Sequence, residues 1–343
     1  MTSRERVFKT LNHEEIDRFP RTLWTLPNVR LFKLNQLEDF QRRFETDFFN
    51  PRINYGKSRY AQGTPGRKGN YIDEFGCFWT AAEEGVVGEV KKPVLEDWDD
   101  FGNYRFPTEL IDELDLTGFD EQCKASDKFV LANTYVRPFE RMQFMRGTEN
   151  LFIDLASGEP MLEKLIAKLH EMNLRELDLL TDHAIDGVSF MDDWGTQRAL
   201  LISPKTWEQI FKPMYKEYSD LAHSKGKKIF FHSDGNIEAI YPHLVEVGLD
   251  AINSQLFCMN IENLVDQYGD KVTFWGEIDR QYILPFGTTE DVRKAVDRVA
   301  SAVIKKNSKR TGAIAQCEWN AFDPYENILT VFEEWDRAGE NPR

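Results

Sequence analysis

Short strand-forming segments alternate with longer helix-forming segments over residues 108–343, and this alternation is the strongest constraint that the sequence places on its fold. Helices are predicted over residues 160–183 and 204–224, with a strand over residues 187–191 between them. Such alternation implies parallel strands joined by right-handed crossovers, and about seven or eight strand–helix units can be counted. No glycine-rich dinucleotide-binding motif follows any strand. The sequence therefore predicts an α/β protein in which residues 1–343 form a single (β/α)8 TIM-type barrel domain.

One stretch in the amino-terminal half, at about residues 50–107, departs from this pattern. It is rich in glycine and proline, and residues 71–80 and 85–90 are predicted to form the two strands of a hairpin. Because the stretch has too few apolar residues for a core of its own, it is predicted to be an insertion into the barrel domain. We expect its aromatic side chains to cover part of the barrel rim or part of a subunit interface. The second position would imply a homodimer. These aromatic residues are Tyr71, Phe75, Phe78 and Trp79.

The composition is that of a globular protein, with 41% hydrophobic and 13% aromatic residues. The formal net charge is -15 and the isoelectric point is about 5.0, so we expect no nucleic-acid partner. No apolar run approaches the ~18 residues of a membrane span, and residues 1–20 lack the apolar core of a signal peptide. We therefore expect no membrane association and a cytoplasmic location. The cysteines are too widely spaced for a disulfide framework. They are Cys77, Cys123, Cys258 and Cys317.

Polar side chains follow the predicted strands at their carboxyl ends, most visibly in the segment KKIFFHSDGN at residues 227–236. In a parallel barrel all of these ends meet at one rim, where ligands bind. We therefore expect these side chains to converge on a functional site. The set comprises Asp192, Asp193, His232, Asp234, Asn253, Glu277, Asp279, Cys317 and Glu318.

The pair of most interest in this set is His232 with Cys317, because imidazole and thiolate are both good zinc ligands. Glu277 or Asp234 would complete a site with three protein ligands and one open position, and Glu277 is the favoured third ligand because it closes a strand of its own. An open position lets zinc act as a Lewis acid on an incoming oxygen or sulfur. The alternatives are that His232 is a core histidine, that Asp234 caps the next helix, and that Cys317 only fills space.

Carboxylates at the same rim are candidate catalytic groups, namely Asp192, Asp193 and Glu277. Asp192 and Asp193 could form a general acid–base pair, but adjacent strand residues point in opposite directions. At most one of them can face the barrel lumen, and the other is expected to bind the following backbone turn.

Four ordered blocks of the sequence resemble the uroporphyrinogen decarboxylase superfamily. They are RERVFKTLNHEEIDRFP (residues 4–20), MDDWGTQRALLISPKTW (residues 191–207), FFHSDGNI (residues 230–237) and GEIDRQYILPFGT (residues 276–288). The resemblance runs over nearly the whole chain. It implies a (β/α)8 barrel with the site in a deep cleft at the carboxyl rim.

The chain is more similar to the cobamide-dependent methyltransferase branch of this superfamily than to the decarboxylases. Those decarboxylases carry an arginine-rich RQAGRY-type segment after the first strand, whereas this chain has RTLWTLPNVR at residues 21–30. In the methyltransferase branch a His-x-Cys pair and a later cysteine bind zinc. His232 and Cys317 match the histidine and the later cysteine, and Asp234 stands where the middle cysteine would be. One fewer thiolate makes a harder site, more suited to an oxygen donor than to a thiol.

The resemblance thus implies a zinc-dependent methyltransferase that moves a methyl group between a small methylated substrate, such as an O-methyl compound, and a corrinoid carried by a partner protein. The opposite direction, to an acceptor thiol, would use the same site. One alternative is a metal-free decarboxylase of the uroporphyrinogen decarboxylase type that acts on another substrate, with Asp192 or Asp193 stabilising a cationic intermediate. Another is a non-catalytic barrel that binds a small ligand or a corrinoid.

Overall fold

A computed structural model describes residues 1–340 of the chain. In chain order its strands are β1 (Arg21–Thr25), β2 (Phe48–Phe49), β3 (Gly69–Ile72), β4 (Phe78–Ala81), β5 (Glu89–Lys92), β6 (Phe129–Asn133), β7 (Gly187–Met191), β8 (Lys228–Ser233), β9 (Ala251–Ser254), β10 (Thr273–Trp275) and β11 (Ala313–Trp319). Eight of them form one parallel sheet in the order β1-β11-β10-β9-β8-β7-β6-β2. This order curls the sheet into a nearly closed barrel, which confirms the predicted fold.

Helices surround the barrel, as expected for right-handed crossovers between parallel strands. They are α1 (Ser3–Leu11), α2 (Pro27–Phe32), α3 (Leu34–Arg43), α4 (Glu109–Asp112), α5 (Phe119–Ala125), α6 (Pro138–Arg146), α7 (Thr148–Ser157), α8 (Pro160–Thr181), α9 (Pro204–Ser224), α10 (Tyr241–Glu246), α11 (Ile261–Tyr268), α12 (Ile283–Phe286), α13 (Thr289–Asn307) and α14 (Tyr325–Glu340). Short 3-10 helices span Trp98–Gly102, Glu238–Ile240 and Leu256–Cys258. Within residues 1–340 no helix is both long and apolar enough to cross a bilayer.

The barrel strands separate two apolar layers, because successive strand residues point to opposite faces. Along β8, Phe230 lies in the inner cluster, whereas Ile229 and Phe231 lie in the outer cluster beneath the helices. The inner cluster also contains Val7 and Leu11 of α1. The hydroxyl groups of Thr273, at the start of β10, and of Thr311, just before β11, donate to the carbonyl of Thr10, which places α1 at the amino-terminal end of the barrel. A ligand must therefore approach from the carboxyl end or from the side.

The insertion forms a three-stranded antiparallel sheet, β3-β4-β5, rather than the predicted hairpin. The prediction treated residues 71–80 as one strand, but a turn splits them into β3 and β4. Asp73 makes this turn, because its Oδ1 accepts the backbone N–H groups of Phe75 at 3.0 Å and Cys77 at 2.8 Å. Gly76 in the turn has a φ of 88°, which glycine adopts without strain.

The insertion packs against α6, which follows the carboxyl end of β6. Trp79 packs edge-on against Phe144 of α6, with 4.8 Å between the ring centroids. The guanidinium of Arg141, also on α6, lies 4.1 Å from the centroid of the Phe75 ring. Tyr71, Phe75 and Trp79 are buried and Phe78 is half-buried. The insertion therefore lies beside the carboxyl rim, in agreement with the first of the two positions expected for its aromatic residues.

Candidate functional site

The side chain of His232 has a fixed orientation inside the barrel. It lies two residues after Phe230 on β8 and therefore points, like Phe230, to the inner face. Its Nδ1 lies 2.6 Å from Oδ1 of Asn253 on β9, and Nδ2 of Asn253 donates to the carbonyl of Trp275 on β10. Because the amide of Asn253 is held by that carbonyl, its oxygen accepts a hydrogen bond from Nδ1–H of His232. The neutral imidazole then carries its lone pair on Nε2.

Two carboxylates face this Nε2 atom. Oδ1 of Asp234 lies 3.4 Å from it and Oδ1 of Asp193 lies 3.6 Å from it. A lone pair facing two carboxylate oxygens is unfavourable unless a cation, either a proton or a metal ion, lies among them. Among the histidine, cysteine, aspartate and glutamate side chains of the described residues, these three form a group whose possible metal-ligand atoms all lie within 4.8 Å of one another. We call this group the Asp193–His232–Asp234 triad.

The dimensions of the triad fit a divalent metal ion. Ligand atoms about 2.0–2.1 Å from a tetrahedral zinc ion lie roughly 3.3–3.4 Å from one another, close to the two distances measured from Nε2. Oδ1 of Asp234 is buried and has no hydrogen-bond partner among the described residues, so it is available as a ligand. Its other oxygen, Oδ2, is held by Arg280. One imidazole and two carboxylates make a harder donor set than the predicted site with a thiolate.

A cavity of about 300 Å³ adjoins the triad on the inner side of the barrel, and we call it the lumen cavity. His232 forms part of its wall, and the ring of Trp24 packs edge-on against the imidazole with 5.0 Å between centroids. Arg137 is the cationic side chain of this wall, and the polar groups of Asn133 and Ser189 are neutral. The cavity therefore provides room for a small molecule next to a candidate metal site.

A sequence model of the family described as "Uroporphyrinogen decarboxylase (URO-D)" matches residues 81–334. The chain belongs to the uroporphyrinogen decarboxylase family. This match confirms the superfamily predicted from the four sequence blocks. No curated protein sequence matches the chain.

The barrel of this family member is also similar to solved structures. A methyltransferase from Methanosarcina mazei superposes with a TM-score of 0.69 at 12% sequence identity, and the alignment covers 98% of this chain and 99% of that chain. A xylanase from Thermoanaerobacterium saccharolyticum gives a TM-score of 0.41 at 12% identity, covering 94% of this chain and 89% of that chain. At such low identity the first likeness shows the fold alone, and the second carries no argument.

Cys317, the predicted thiolate ligand, does not reach the triad. It lies within β11, where Ile314 belongs to the inner cluster, while Ala313, Ala315 and Cys317 belong to the outer one. The Cys317 side chain is therefore on the face opposite to that of His232. Burial, with the nearby charge of Asp323 next in effect, raises the pKa of its thiol well above the ordinary value. The expectation that Cys317 binds zinc is corrected: it fills space in the outer layer.

Glu277, the favoured third ligand, also lies outside the triad. Its Oε1 is 3.5 Å from Nε of Arg280, and the same guanidinium binds Asp234 and, at 2.5 Å, Glu318. Burial raises the pKa of Glu277 well above its ordinary value, although the charge of Arg280 opposes this. Asp234, and not Glu277, is thus the third candidate ligand. Asp234 does not cap the following helix, because the side chain of Asn236 accepts the N–H of Glu238 instead.

Asp192 and Asp193 have separate roles, as expected for adjacent residues. Asp192 is fully buried, and its Oδ1 accepts the N–H groups of Phe139 at 2.8 Å and Glu140 at 3.0 Å in the first turn of α6. Asp192 therefore supports α6 and is not in the triad, which corrects its assignment as a catalytic candidate. Asp193 faces His232, and its Oδ1 also accepts the N–H of Asp234 at 2.8 Å.

Two residues of this region were not predicted. Glu140 is buried, with its Oε2 paired with Nη1 of Arg137 at 3.5 Å, and burial followed by the charge of Asp193 raises its pKa to about 7. It lies on α6 rather than at a strand end, so no signal in the sequence marks it. Arg280 follows Glu277 by three residues and could have been found as the cation expected beside several buried carboxylates.

Proposed function

We propose that this chain is a methyltransferase that moves a methyl group between a small O-methyl compound and a corrinoid carried by a partner protein, with a divalent metal ion, zinc in the first instance, in the triad. The observation that supports the proposal is the Asp193–His232–Asp234 triad at the edge of the lumen cavity. The similarity in fold to a methyltransferase agrees with it. A metal ion bound there would polarise the methoxyl oxygen and so make its methyl carbon open to attack.

The residues around the triad divide the remaining tasks. Asn253 fixes the tautomer of His232, and Arg280 holds one oxygen of Asp234 so that the other faces Nε2. Trp24 packs against the imidazole, with 5.0 Å between the ring centroids. Glu140 pairs with Arg137 of the cavity wall, with 3.5 Å between Oε2 and Nη1, and so helps to hold that guanidinium beside the lumen cavity.

The donor set favours an oxygen substrate over a thiol. Carboxylate oxygens are hard ligands, and a metal ion bound by them prefers a further oxygen or nitrogen more strongly than an ion bound by thiolates does. We therefore assign the O-methyl compound as the methyl donor and the corrinoid as the acceptor.

The family also makes decarboxylation of another substrate, without metal, a second candidate. A porphyrinogen with many carboxylates would need several cations, whereas the wall of the lumen cavity includes Arg137 as its cation. This wall therefore favours a substrate with few negative charges. Assaying carbon dioxide release alongside methyl transfer separates the two reactions.

The test combines metal content with methyl transfer. Wild-type protein purified with zinc available should contain about one zinc ion per chain, and His232→Ala should lose most of it together with demethylation, because two carboxylates alone hold zinc poorly. Cys317→Ala is the matched control and should keep both metal and activity. The proposal fails if the wild type binds no divalent metal, or if Cys317→Ala loses its metal while His232→Ala keeps it.

A further inference from the structure

The wall of the barrel has a seam between β1 and β2. At its amino-terminal end the seam is held together, because the N–H of Asp47 donates to the carbonyl of Arg21 at 2.9 Å and the N–H of Arg21 donates to Oδ2 of Asp47 at 2.7 Å. Beyond this point no strand ladder joins β1 to β2 in residues 1–340. A second cavity of about 300 Å³ lies along this seam, and we call it the seam cavity.

The seam cavity and the lumen cavity share part of their walls. Thr22 on β1, Phe48 on β2 and Asn50 just after β2 line both. Nδ2 of Asn50 donates to the carbonyl of Leu131 at 2.8 Å, so this side chain is anchored to β6. The two cavities are therefore adjacent, with the side chains of these shared residues at the boundary between them.

One side of the seam cavity is aromatic. Phe40 of α3, Phe44 directly after α3 and Phe332 of α14 form a cluster in which the ring centroids of Phe40 and Phe332 are 4.9 Å apart. These three rings line the cavity together with Phe48. They favour an apolar stem, either an aromatic ring or an alkyl chain, over a sugar or another strongly polar group.

Cationic side chains also line the seam cavity, and the guanidinium of one of them, Arg21, lies 5.4 Å from the centroid of the Phe44 ring. Arg21 binds Asp336, and Lys128 binds Glu45 at 3.1 Å. Arg30 also lines the cavity, is exposed, and forms no ion pair among the described residues, so the region keeps one positive charge in excess. In addition, Nε of Arg21 is buried without a hydrogen-bond partner in the described structure. A buried donor without a partner is costly, and an anionic oxygen in the cavity would satisfy it.

We propose that the seam cavity is a binding site for the anionic tail of the substrate, with a carboxylate on an aromatic or alkyl stem as the chemical class. This proposal rests on the proposed function only for the chemical nature of the reacting end of the substrate, the end that would lie at the triad. The carboxylate would lie against Arg21 and Arg30, the stem would pack against Phe40, Phe44 and Phe332, and the reacting end would pass Thr22 into the lumen cavity.

The test is a calorimetric titration of protein prepared without metal, with 4-phenylbutanoate and its neutral analogue 4-phenylbutanamide as probes. We expect the carboxylate to bind at least tenfold more tightly than the amide. Arg30→Gln should remove most of this difference, whereas Arg67→Gln, a surface arginine of the insertion, should leave it unchanged. Arg30 is exposed, so its replacement should not impair folding.

A second variant tests the connection between the cavities. Thr22→Phe should lower the affinity for 4-phenylbutanoate more than the affinity for the shorter phenylacetate. The larger side chain would narrow the boundary between the two cavities, which only the longer probe has to cross. The proposal is overturned if amide and carboxylate bind equally, if Arg30→Gln and Arg67→Gln behave alike, or if Thr22→Phe affects both probes equally. None of these measurements depends on metal or methyl transfer, so their failure is distinct from failure of the proposed function.

Discussion

The orientation of His232 depends on a single neighbouring residue, Asn253, which is fully buried. Replacing Asn253 with Ala removes the acceptor for Nδ1–H and lets the imidazole change its tautomer and rotate. We expect the affinity for zinc to fall by about 10- to 100-fold, as is usual when a partner of a histidine ligand is lost. Competition with a chelating dye measures this change.

The adjacent residue provides a matched control for this variant. Oγ of Ser254 is buried without a hydrogen-bond partner in the described structure, and its side chain points away from His232 because it follows Asn253 directly. Ser254→Ala should bind zinc like the wild type. Equal affinities for Asn253→Ala and Ser254→Ala would show that Asn253 does not orient the ligand.

The difference between the expected and observed ligands has a simple cause at the level of single residues. Cys317 was expected at the rim, directly after the last predicted strand, which places the predicted end of that strand at residue 316. The strand β11 continues to Trp319, and strand alternation then governs Cys317 and points it outward. His232 is also inside its strand, β8, but on the inward side. An error of three residues in the predicted end of this strand was thus enough to assign Cys317 to the site, whereas the structure has Asp193 there.

At the level of elements, long helices and buried strands were predicted well, and the irregular amino-terminal half was not. The strand β7 (Gly187–Met191) and the helix α9 (Pro204–Ser224) have the predicted bounds, because each has a continuous apolar pattern. The strand β2, Phe48–Phe49, was missed, since two residues cannot show any periodicity. Its shortness also leaves the seam beside β1, so the seam cavity could not have been predicted.

The insertion depends on Asp73 in the turn between β3 and β4. Besides two backbone N–H groups, Oδ2 of Asp73 accepts hydrogen bonds from Nε1 of Trp79 and Nη1 of Arg141, both at 3.0 Å. Asp73 and Arg141 are buried, so Asp73→Ala leaves a buried guanidinium without its carboxylate. We expect the free energy of unfolding to fall by about 3 kcal/mol, measured by urea denaturation.

Asp97 is the control for this substitution, because it also accepts a backbone N–H, that of Asp99, but is exposed. Asp97→Ala should change the free energy of unfolding much less than Asp73→Ala does, since water can replace an exposed cap. Comparable losses for the two variants would mean that the buried ion pair with Arg141 contributes little.

For the molecule as a whole, the carboxyl end of the barrel is the face that a partner protein would have to approach, since α1 covers the amino end. Large apolar side chains are exposed on segments that follow barrel strands: Phe32 after β1 is 64% exposed, Phe286 after β10 is 82% exposed, and Phe322 after β11 is 79% exposed. Exposed aromatic residues around a cleft are typical of protein–protein interfaces. In the proposed function this surface would contact the corrinoid protein.

We therefore expect the double variant Phe286→Ser/Phe322→Ser to raise the KM for the corrinoid protein roughly tenfold or more, because aromatic residues contribute most of the energy of such interfaces. Its kcat at saturating partner and its zinc content should stay at wild-type values, since neither residue belongs to the triad. Ile153→Ser, which changes another exposed apolar residue, on α7 and 57% exposed, should not alter the KM. Initial rates of methyl transfer at varied partner concentration give all of these values. An unchanged KM in the double variant, or an equal rise in Ile153→Ser, would exclude these aromatic residues as the docking surface.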